Sequence, residues 1–344
     1  MPAPAAMRDT PPTNPAFLYR AGIRMAGTVV TCDGSAASDL VFLSHAPVLS
    51  AHRRGGLPRL GSGRRRQLLA TDATLTLLGP VGARLRPHAL IAAPGRPFAL
   101  GDLRLELFSS DHLPGAASLL CEQAGRRLVY AGPTGDGADL RTADAVCVDA
   151  RWAAADLALP DGAAARAALF DACRPTDGGA APVLLVDPPG LAPVIAHVLA
   201  EAGLSTRTHR KILEAFGVYR QALGVMRPTA VVQRFSGRLF PPELLLWPAG
   251  APVPAQAMKS GPRVTLLVGP HAGREAVRAR LGAAGGVAFP FGADVGRLLR
   301  YVAATGASQV ALVGAPDDHL ANLLTARGVT AYRLGPPRQM ALFG

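Results

Sequence analysis

The sequence predicts an α/β protein whose first half is rich in strands and whose second half alternates strands with helices. From residue 17 to about 150, short apolar runs are separated by Gly, Asp and Pro turns. After Trp152, helical patterns alternate with buried apolar runs that end in turn residues, the mark of a βαβ layer.

The elements follow in order. Residues 1–16, MPAPAAMRDTPPTNPA, are rich in Pro and Ala and read as an untethered tail. GTVVTCD and LVFLSH are apolar runs ending in polar residues. QLLATDATLTLLG reads as a short helix begun by Thr71 or Asp72. PFALGDLRLELFSS reads as a hairpin turning at Gly101-Asp102, because Leu103, Leu105 and Leu107 alternate with charged residues. SLLCEQAGRRLVYAG reads as a second hairpin, turning at Ala124-Gly125.

Beyond Trp152, DGAAARAALFDACR has a helical pattern, APVLLVDPPG is a buried strand running into a loop, and LAPVIAHVLAEAG is a helix closed by Gly203. KILEAFGVYRQALG is helical, and the Pro-rich FPPELLLWPAGAPVPA reads as a connector. From 263 the alternation resumes: RVTLLVG as strand, GREAVRARLGAAGG and DVGRLLRYVAATG as helices, QVALVG as strand, HLANLLTARG as helix and TAYRLG as a last strand. No short internal repeat interrupts this order.

Hydrophobic residues make up 49% of the 344 and charged residues 17%, which suits a globular chain with a sizeable core. The formal charge is +12, from 36 basic and 24 acidic residues. Two readings of that excess stand side by side. It fits a polyanionic partner such as nucleic acid. It also fits a compositional bias, since Lys211 and Lys259 are the only lysines and Ala, Gly and Pro are abundant. Cys32, Cys121, Cys147 and Cys173 form no C-x-x-C pair, and three of them lie in apolar runs, which points to buried thiols in a reducing compartment. The first residues contain no apolar stretch of a secretion signal, and no window has the roughly 18 uninterrupted apolar residues of a membrane span. The expected location is the cytoplasm, with no membrane partner.

Six segments, taken in order, resemble the metallo-β-lactamase fold nucleases of the β-CASP group, the exonucleases of RNA processing and their DNA-ligase-associated relatives. GIRMAGTVVTCDGSAASDLVFLSHA is similar to that family's opening strands, up to the Ser-His that begins an H-x-H-x-D-H box. LATDATLTLL resembles the Ala-Thr-x-x-Thr helix after the box. LFSSDHLPGAASLLCEQAGRRLVYAG resembles the Ala-Gly-His-x-x-Gly-Ser-Ala segment and the Tyr-Thr-Gly-Asp that follows it. AVCVDARW stands where the family has an acidic residue and then Thr-Tyr-Gly. APVLLVDPPGLAPVIAHVLAEAG resembles the first strand and helix of the β-CASP insertion. AFPFGADVGRLLRYVAATGASQVALVGAP resembles the Ser-Asp-His-Ala-Asp-Phe and His-Gly tail, and RQMALFG resembles the family's short Gln-x-x-Leu-Phe end.

The resemblance implies an αββα metallo-β-lactamase sandwich formed by 17–152 and 264–344, with a β-CASP-like α/β insertion at 153–263. It also implies a reaction in which two zinc ions, about 3.5–4 Å apart, activate a water against a phosphodiester. Carried over by position, the ligands mostly fail. His45 matches the first His of the box, His112 matches the His after the Ala-Gly pair, and Asp33 matches the acidic residue that holds a ligand histidine. Asp149 matches the acidic residue of the next motif. Pro47, Leu49 and Ser50 replace the rest of the box, Pro133 replaces the bridging aspartate, Gly292 the His of Asp-His-Ala-Asp, and Val313 the His of His-Gly.

Pro, Leu, Gly and Val offer no side-chain lone pair to a dication. A catalytic zinc uses three protein ligands, so His45 and His112 alone fall short. The expectation is a pseudoenzyme without a cofactor that binds nucleic acid (RNA or DNA) or a protein such as an active homologue. The alternative is a metal-dependent, exonuclease-like hydrolase with a reduced site, in which His52 joins His45 and His112. Against it, His52 stands beside Arg53 and Arg54, whose charge disfavours a cation.

Those two arginines, with Arg59, Arg64, Arg65 and Arg66, cluster around two Gly-rich turns. They read either as a phosphate-gripping lip or as a solvated surface loop, the second being the plainer account. Asp317 and Asp318 read as a cap on HLANLLTARG rather than a metal cluster. GPHAGRE lacks phosphate-loop spacing, no G-x-S-x-G elbow appears, and aromatics at 5% give little material for stacking single-stranded bases.

Overall fold

A computed structural model describes residues 12–34, 40–46, 67–175, 181–225, 231–259 and 263–335. The chain divides into two compact units, Met1–Ala158 with Gly292–Gly344, and Leu159–Phe291.

The first strands are β1 (Phe17–Tyr19), β2 (Ile23–Met25), β3 (Val30–Cys32), β4 (Leu40–Phe42) and β5 (Gln67–Ala70), followed by helices α1 (Asp72–Leu77) and α2 (Pro80–Leu85) and by β6 (Ala89–Ile91). They make one six-stranded sheet in chain order, antiparallel from β1 to β3 and parallel from β3 to β6. The expected helix at QLLATDATLTLLG is confined to its second half. QLLA is a parallel strand between β4 and β6, and Thr71 then caps α1 by accepting the Thr74 N–H at 3.1 Å.

Next come β7 (Phe98–Leu100), β8 (Leu103–Ser109), β9 (Ala117–Gln123), β10 (Arg126–Gly132) and β11 (Ala145–Asp149). Both hairpins turn where the sequence places them, with Gly101, Ala124 and Gly125 at positive φ.

The second unit holds α3 (Gly162–Ala172), β12 (Val183–Val186), α4 (Ala192–Glu201), β13 (Thr206–Thr208), α5 (Arg210–Ala222), β14 (Val232–Arg234), β15 (Leu244–Pro248), α6 (Ala255–Met258), β16 (Thr265–Gly269), α7 (Glu275–Arg280) and β17 (Gly285–Ala288). The chain then returns to the first unit through α8 (Val295–Thr305), β18 (Gln309–Val313), α9 (His319–Thr325) and β19 (Thr330–Leu334). β18 and β19 extend the second sheet in parallel beyond β11, giving the order β19-β18-β11-β10-β9-β8-β7.

In the first unit, Phe17, Met25 and Phe42 of one sheet and Leu105, Leu119 and Tyr332 of the other belong to one buried cluster, so the two sheets face each other across it. Leu75 of α1 and Leu85 of α2 pack on the outer face of the first sheet. Leu298 and Val302 of α8 and Leu320 and Leu324 of α9 pack on the outer face of the second. The layers therefore run helix, sheet, sheet, helix. A clasp ties the first strand to the last: the Phe17 N–H donates to the Tyr332 hydroxyl at 3.0 Å, and that hydroxyl donates to the Phe17 carbonyl at 3.2 Å.

The clasp corrects the extent of the expected tail. Ala16 is fully buried and its N–H donates to Gln309 Oε1 at 2.5 Å, so the chain is docked before residue 17; residues 1–11 lie outside the described ones.

The second unit is a parallel sheet of order β14-β13-β15-β12-β16-β17, with α3, α4 and α5 sharing its main core cluster. Three expectations are corrected here. The Pro-rich stretch read as a connector contains β15, which pairs with β13 on one side and β12 on the other. Its prolines lie outside Leu244–Trp247 or at the last strand position, where a missing N–H does least harm, and Leu244–Leu246 are buried. The boundary expected at 263/264 falls at 291/292, because β16 hydrogen-bonds β12 and β17 hydrogen-bonds β16. Likewise the helix expected over GREAVRARLGAAGG stops at Arg280, with Gly282 at φ +67° behind it, and its final glycines enter β17.

The four cysteines are buried and free. Among the described residues, no helix is long and apolar enough to cross a membrane. Asp317 acts near the start of α9 as expected, accepting the His319 N–H at 2.9 Å, whereas Asp318 pairs with Arg333.

Because β15 is an interior strand, Leu246→Ala should cost about 2–5 kcal/mol in denaturant unfolding. Phe240→Ala, at a side chain 58% exposed just before the strand, should stay within about 0.5 kcal/mol of the parent.

Candidate functional site

The carboxyl ends of β3, β4, β8, β10, β11 and β18 carry the residues singled out in the sequence. At the end of β3, Asp33 takes a left-handed turn at φ +47°, which Asp tolerates better than most residues. Its carboxylate is buried and holds three donors. Oδ1 accepts the Ser44 N–H at 2.8 Å, and Oδ2 accepts the Ser44 hydroxyl at 2.5 Å and the Tyr130 hydroxyl at 2.7 Å. Burial raises the Asp33 pKa, and the bonds from Ser44 and Tyr130 offset it only in part. Tyr130 belongs to the opposite sheet, so this carboxylate joins the two layers.

Ser44 also lies 2.8 Å from His45 Nδ1. A serine has one hydroxyl proton, and here it is spent on Asp33. His45 must therefore donate from Nδ1 and keep its lone pair on Nε2. The same bookkeeping rules out a nucleophile triad, since His45 cannot act as the base that takes the Ser44 proton.

His112 follows β8 and meets His45 edge-on, with ring centres 5.3 Å apart and planes at 83°. Two imidazoles on one tetrahedral zinc, with Zn–N of about 2.0–2.1 Å, stand at roughly this spacing. The two expected histidines thus converge. Burial holds His45 well below the ordinary histidine pKa, with His112 and Arg151 adding to the effect. Burial, then Arg151, takes His112 to about 3.

Arg151 was not anticipated as part of the site. It follows β11, and its guanidinium takes both oxygens of the buried Asp149: Nε donates to Oδ1 at 2.9 Å, and a terminal nitrogen lies 2.8 Å from Oδ2. The Arg151 N–H adds a third bond to Oδ1 at 3.1 Å. A charged fork of this kind is among the stronger polar contacts. The carboxylate that matches a metal-binding motif is therefore committed to a permanent cation, and that cation lies close enough to both histidines to lower their pKa.

The other matched positions close the site further. Gly292 sits at φ +130°, and a Cβ added there would come within 2.6 Å of the Trp152 indole, so a histidine cannot be accommodated without moving the indole. Asp294, kept from the same motif, caps α8 by accepting the Arg297 N–H at 2.9 Å and its guanidinium at 3.0 Å, and Arg297 reaches on to Asp136. Pro133 is buried after β10. Val313 pairs with Asp149 in the β11–β18 register and packs on the inter-sheet core.

Among the described residues, no three His, Cys, Asp or Glu side chains are placed to hold a metal ion. The donors present, two histidines beside a guanidinium, do not fit a catalytic zinc, which needs three protein ligands. Pro47, Leu49, Ser50, His52, Arg53, Arg54, Arg59, Arg64, Arg65 and Arg66 lie outside the described residues.

The lowered pKa values have a sign. A histidine neutral in the folded chain but protonated when unfolded makes the unfolded state bind more protons, so stability falls as pH drops below the unfolded value near 6.5. The loss from His112 continues until its folded pKa of about 3. Urea midpoints measured from pH 7 to 4 should therefore fall less steeply for His112→Gln than for the parent; an unchanged slope would show that His112 does not titrate this way.

No protein-family model matches this sequence, and no curated protein matches it. The fold has a match among solved structures: a protein of unknown function from Enterococcus faecalis V583, at a TM-score of 0.56 and 11% identity, covering 87% of this chain and 79% of that one. What that likeness establishes is a shared mixed α/β fold.

Proposed function

We propose that this chain is a relative of the metallo-β-lactamase/β-CASP nucleases that has given up two-metal hydrolysis and binds nucleic acid. The helix–sheet–sheet–helix unit, interrupted after β11 by a parallel α/β unit, supports the αββα sandwich with a β-CASP-like insertion that the sequence resemblance implies. The single observation that carries the loss of catalysis is the Arg151 fork on Asp149 beside the His45–His112 pair. A two-metal site needs anionic and neutral donors around adjoining dications. Here a fixed positive charge occupies the carboxylate, and Gly292, Pro133 and Val313 contribute no donor.

The charge of +12 favours a nucleic-acid partner over a protein one. Arg53, Arg54, Arg64, Arg65 and Arg66 are the residues we assign to the phosphates. Four unpaired cysteines, all buried, support a cytoplasmic setting.

A second reading, a metal-dependent hydrolase with a reduced site, is favoured by one observation. The His45 and His112 rings stand at a spacing suited to one ion, and the Nε2 lone pair of His45 is uncommitted by its own hydrogen bonding to Ser44.

One set of measurements separates the readings. Purified protein should carry substoichiometric zinc by elemental analysis and show no chelator-sensitive cleavage of single-stranded RNA or DNA. It should bind both with an affinity that falls with salt, at a log–log slope of about −0.7 per neutralised phosphate, and replacement of Arg64, Arg65 and Arg66 by Glu should flatten that slope. Stoichiometric metal with a chelator-sensitive rate would establish the hydrolase instead. Absence of salt-dependent binding would leave a protein partner.

A further inference from the structure

We propose that the second unit carries a stacking site for single-stranded nucleic acid, in the groove lined by Arg238 and Phe240 of the β14–β15 connection and by Gln256 and Lys259 of α6 and its end. It rests on the nucleic-acid reading above and adds a site for a base to the arginines already assigned to the phosphates.

The parallel sheet buries both of its faces. Leu184, Val186, Leu244 and Leu246 share a cluster with α3, α4 and α5, while Val183, Leu185 and Leu245 turn the other way. Leu239 and Ala257 are buried in that second cluster, and they anchor the two walls of the groove. Its volume is about 310 Å³, at the lower end of small-ligand sites, and no carboxylate lines it.

Phe240 is the most open of the large apolar side chains among the described residues. A lone exposed apolar side chain is ordinary on a protein surface. What singles this one out is its support and its company. Its backbone is held on both sides: the N–H donates to Glu243 Oε2 at 2.9 Å, and the carbonyl accepts the Glu243 N–H at 2.6 Å. Glu243 is fixed in turn by Arg207, whose Nε and a terminal nitrogen donate to Oε1 at 2.9 and 2.7 Å. A ring presented to water on a clamped backbone loses little freedom when a flat partner arrives. Between Glu214 and Glu275 the chain has one acidic residue, Glu243, and Arg207 occupies it. Arg238 and Lys259 are both exposed and form no ion pair among the described residues. Two uncommitted cations beside an aromatic face match a nucleotide, whose base stacks on the ring while its phosphates take the charges. An acidic peptide would satisfy the cations and leave the ring unused, and a duplex would offer phosphates without a free base.

The test is fluorescence anisotropy of a labelled oligothymidylate of about 16 nucleotides, titrated with the whole protein over a range of salt, beside a duplex of the same length. Phe240→Ala should weaken binding to the single strand about fivefold or more, the scale of one base lost from an aromatic platform. It should leave the salt slope and the duplex affinity unchanged, and Phe240→Tyr should restore the parent affinity. Arg238→Gln and Lys259→Gln should each flatten the log–log slope by about 0.7, one phosphate apiece. Failure of the parent protein to bind the single strand would sink the nucleic-acid reading itself, and this site with it. Binding by the parent that is indifferent to Phe240, Arg238 and Lys259 would overturn this site alone. A loss on Phe240→Ala that is equal for duplex and single strand would overturn the stacking. Competition by polyglutamate as strong as by unlabelled oligothymidylate would overturn the proposal in favour of an acidic peptide.

Discussion

A single buried carboxylate organises the first unit. Asp33 receives donors from Ser44, which follows β4, and from Tyr130 of the facing sheet, so it joins the two layers, as the Phe17–Tyr332 clasp also does, across a shared apolar core. Hydrogen bonds to an ionised group are worth about 1.5–3 kcal/mol each, while taking a carboxylate out of water costs several. The raised pKa of Asp33 says that the cost is not fully met. The carboxylate also fixes the tautomer of His45, and so leaves the lone pair on Nε2.

The rest of the site follows a charge logic that differs from that of a metal centre. In a metal site, a dication draws carboxylates and neutral imidazoles together. Here a guanidinium does the drawing. Arg151 satisfies Asp149, and burial, with Arg151 beside it, lowers the pKa of the neighbouring imidazoles, so the cluster is balanced with the protein's own cation. Trp152, the next residue, fills the space beside Gly292. Two adjacent side chains, Arg and Trp, thereby neutralise one half of the constellation and occupy another.

Much of the fold was legible before any coordinates. The two hairpins, the Thr71 cap and helices α3, α4, α5, α8 and α9 were readable because each rests on local signals: alternation, turn glycines and capping residues. β15 was not, because proline density hid a short apolar core whose partners lie far along the chain. The unit boundary was missed for the same reason: β16 belongs with β12 by pairing, which periodicity does not report. At the site, matching by position singles out His45 and His112, while their meeting edge-on is seen only in the fold. The Arg151 fork was not foreseen, although Asp-Ala-Arg stood in plain view, since an i, i+2 pair at a strand end can point anywhere. Asp33 was expected to orient a histidine directly; instead Ser44 stands between them.

The clasp between Phe17 and Tyr332 has a consequence for how this chain is made. A ribosome releases the polypeptide from the amino end, and domains tend to fold as they emerge. The interrupting unit, Leu159–Phe291, is contiguous and has every strand of its sheet once its last residue is out. The split unit must wait for β18 and β19 before its second sheet is complete and its opening strand is secured. During synthesis the nascent amino-terminal half therefore carries unmatched apolar surface for the time it takes to translate the 185 residues after Asp149, the end of β11, up to Leu334, the end of β19. That interval is when a chaperone would have most to hold.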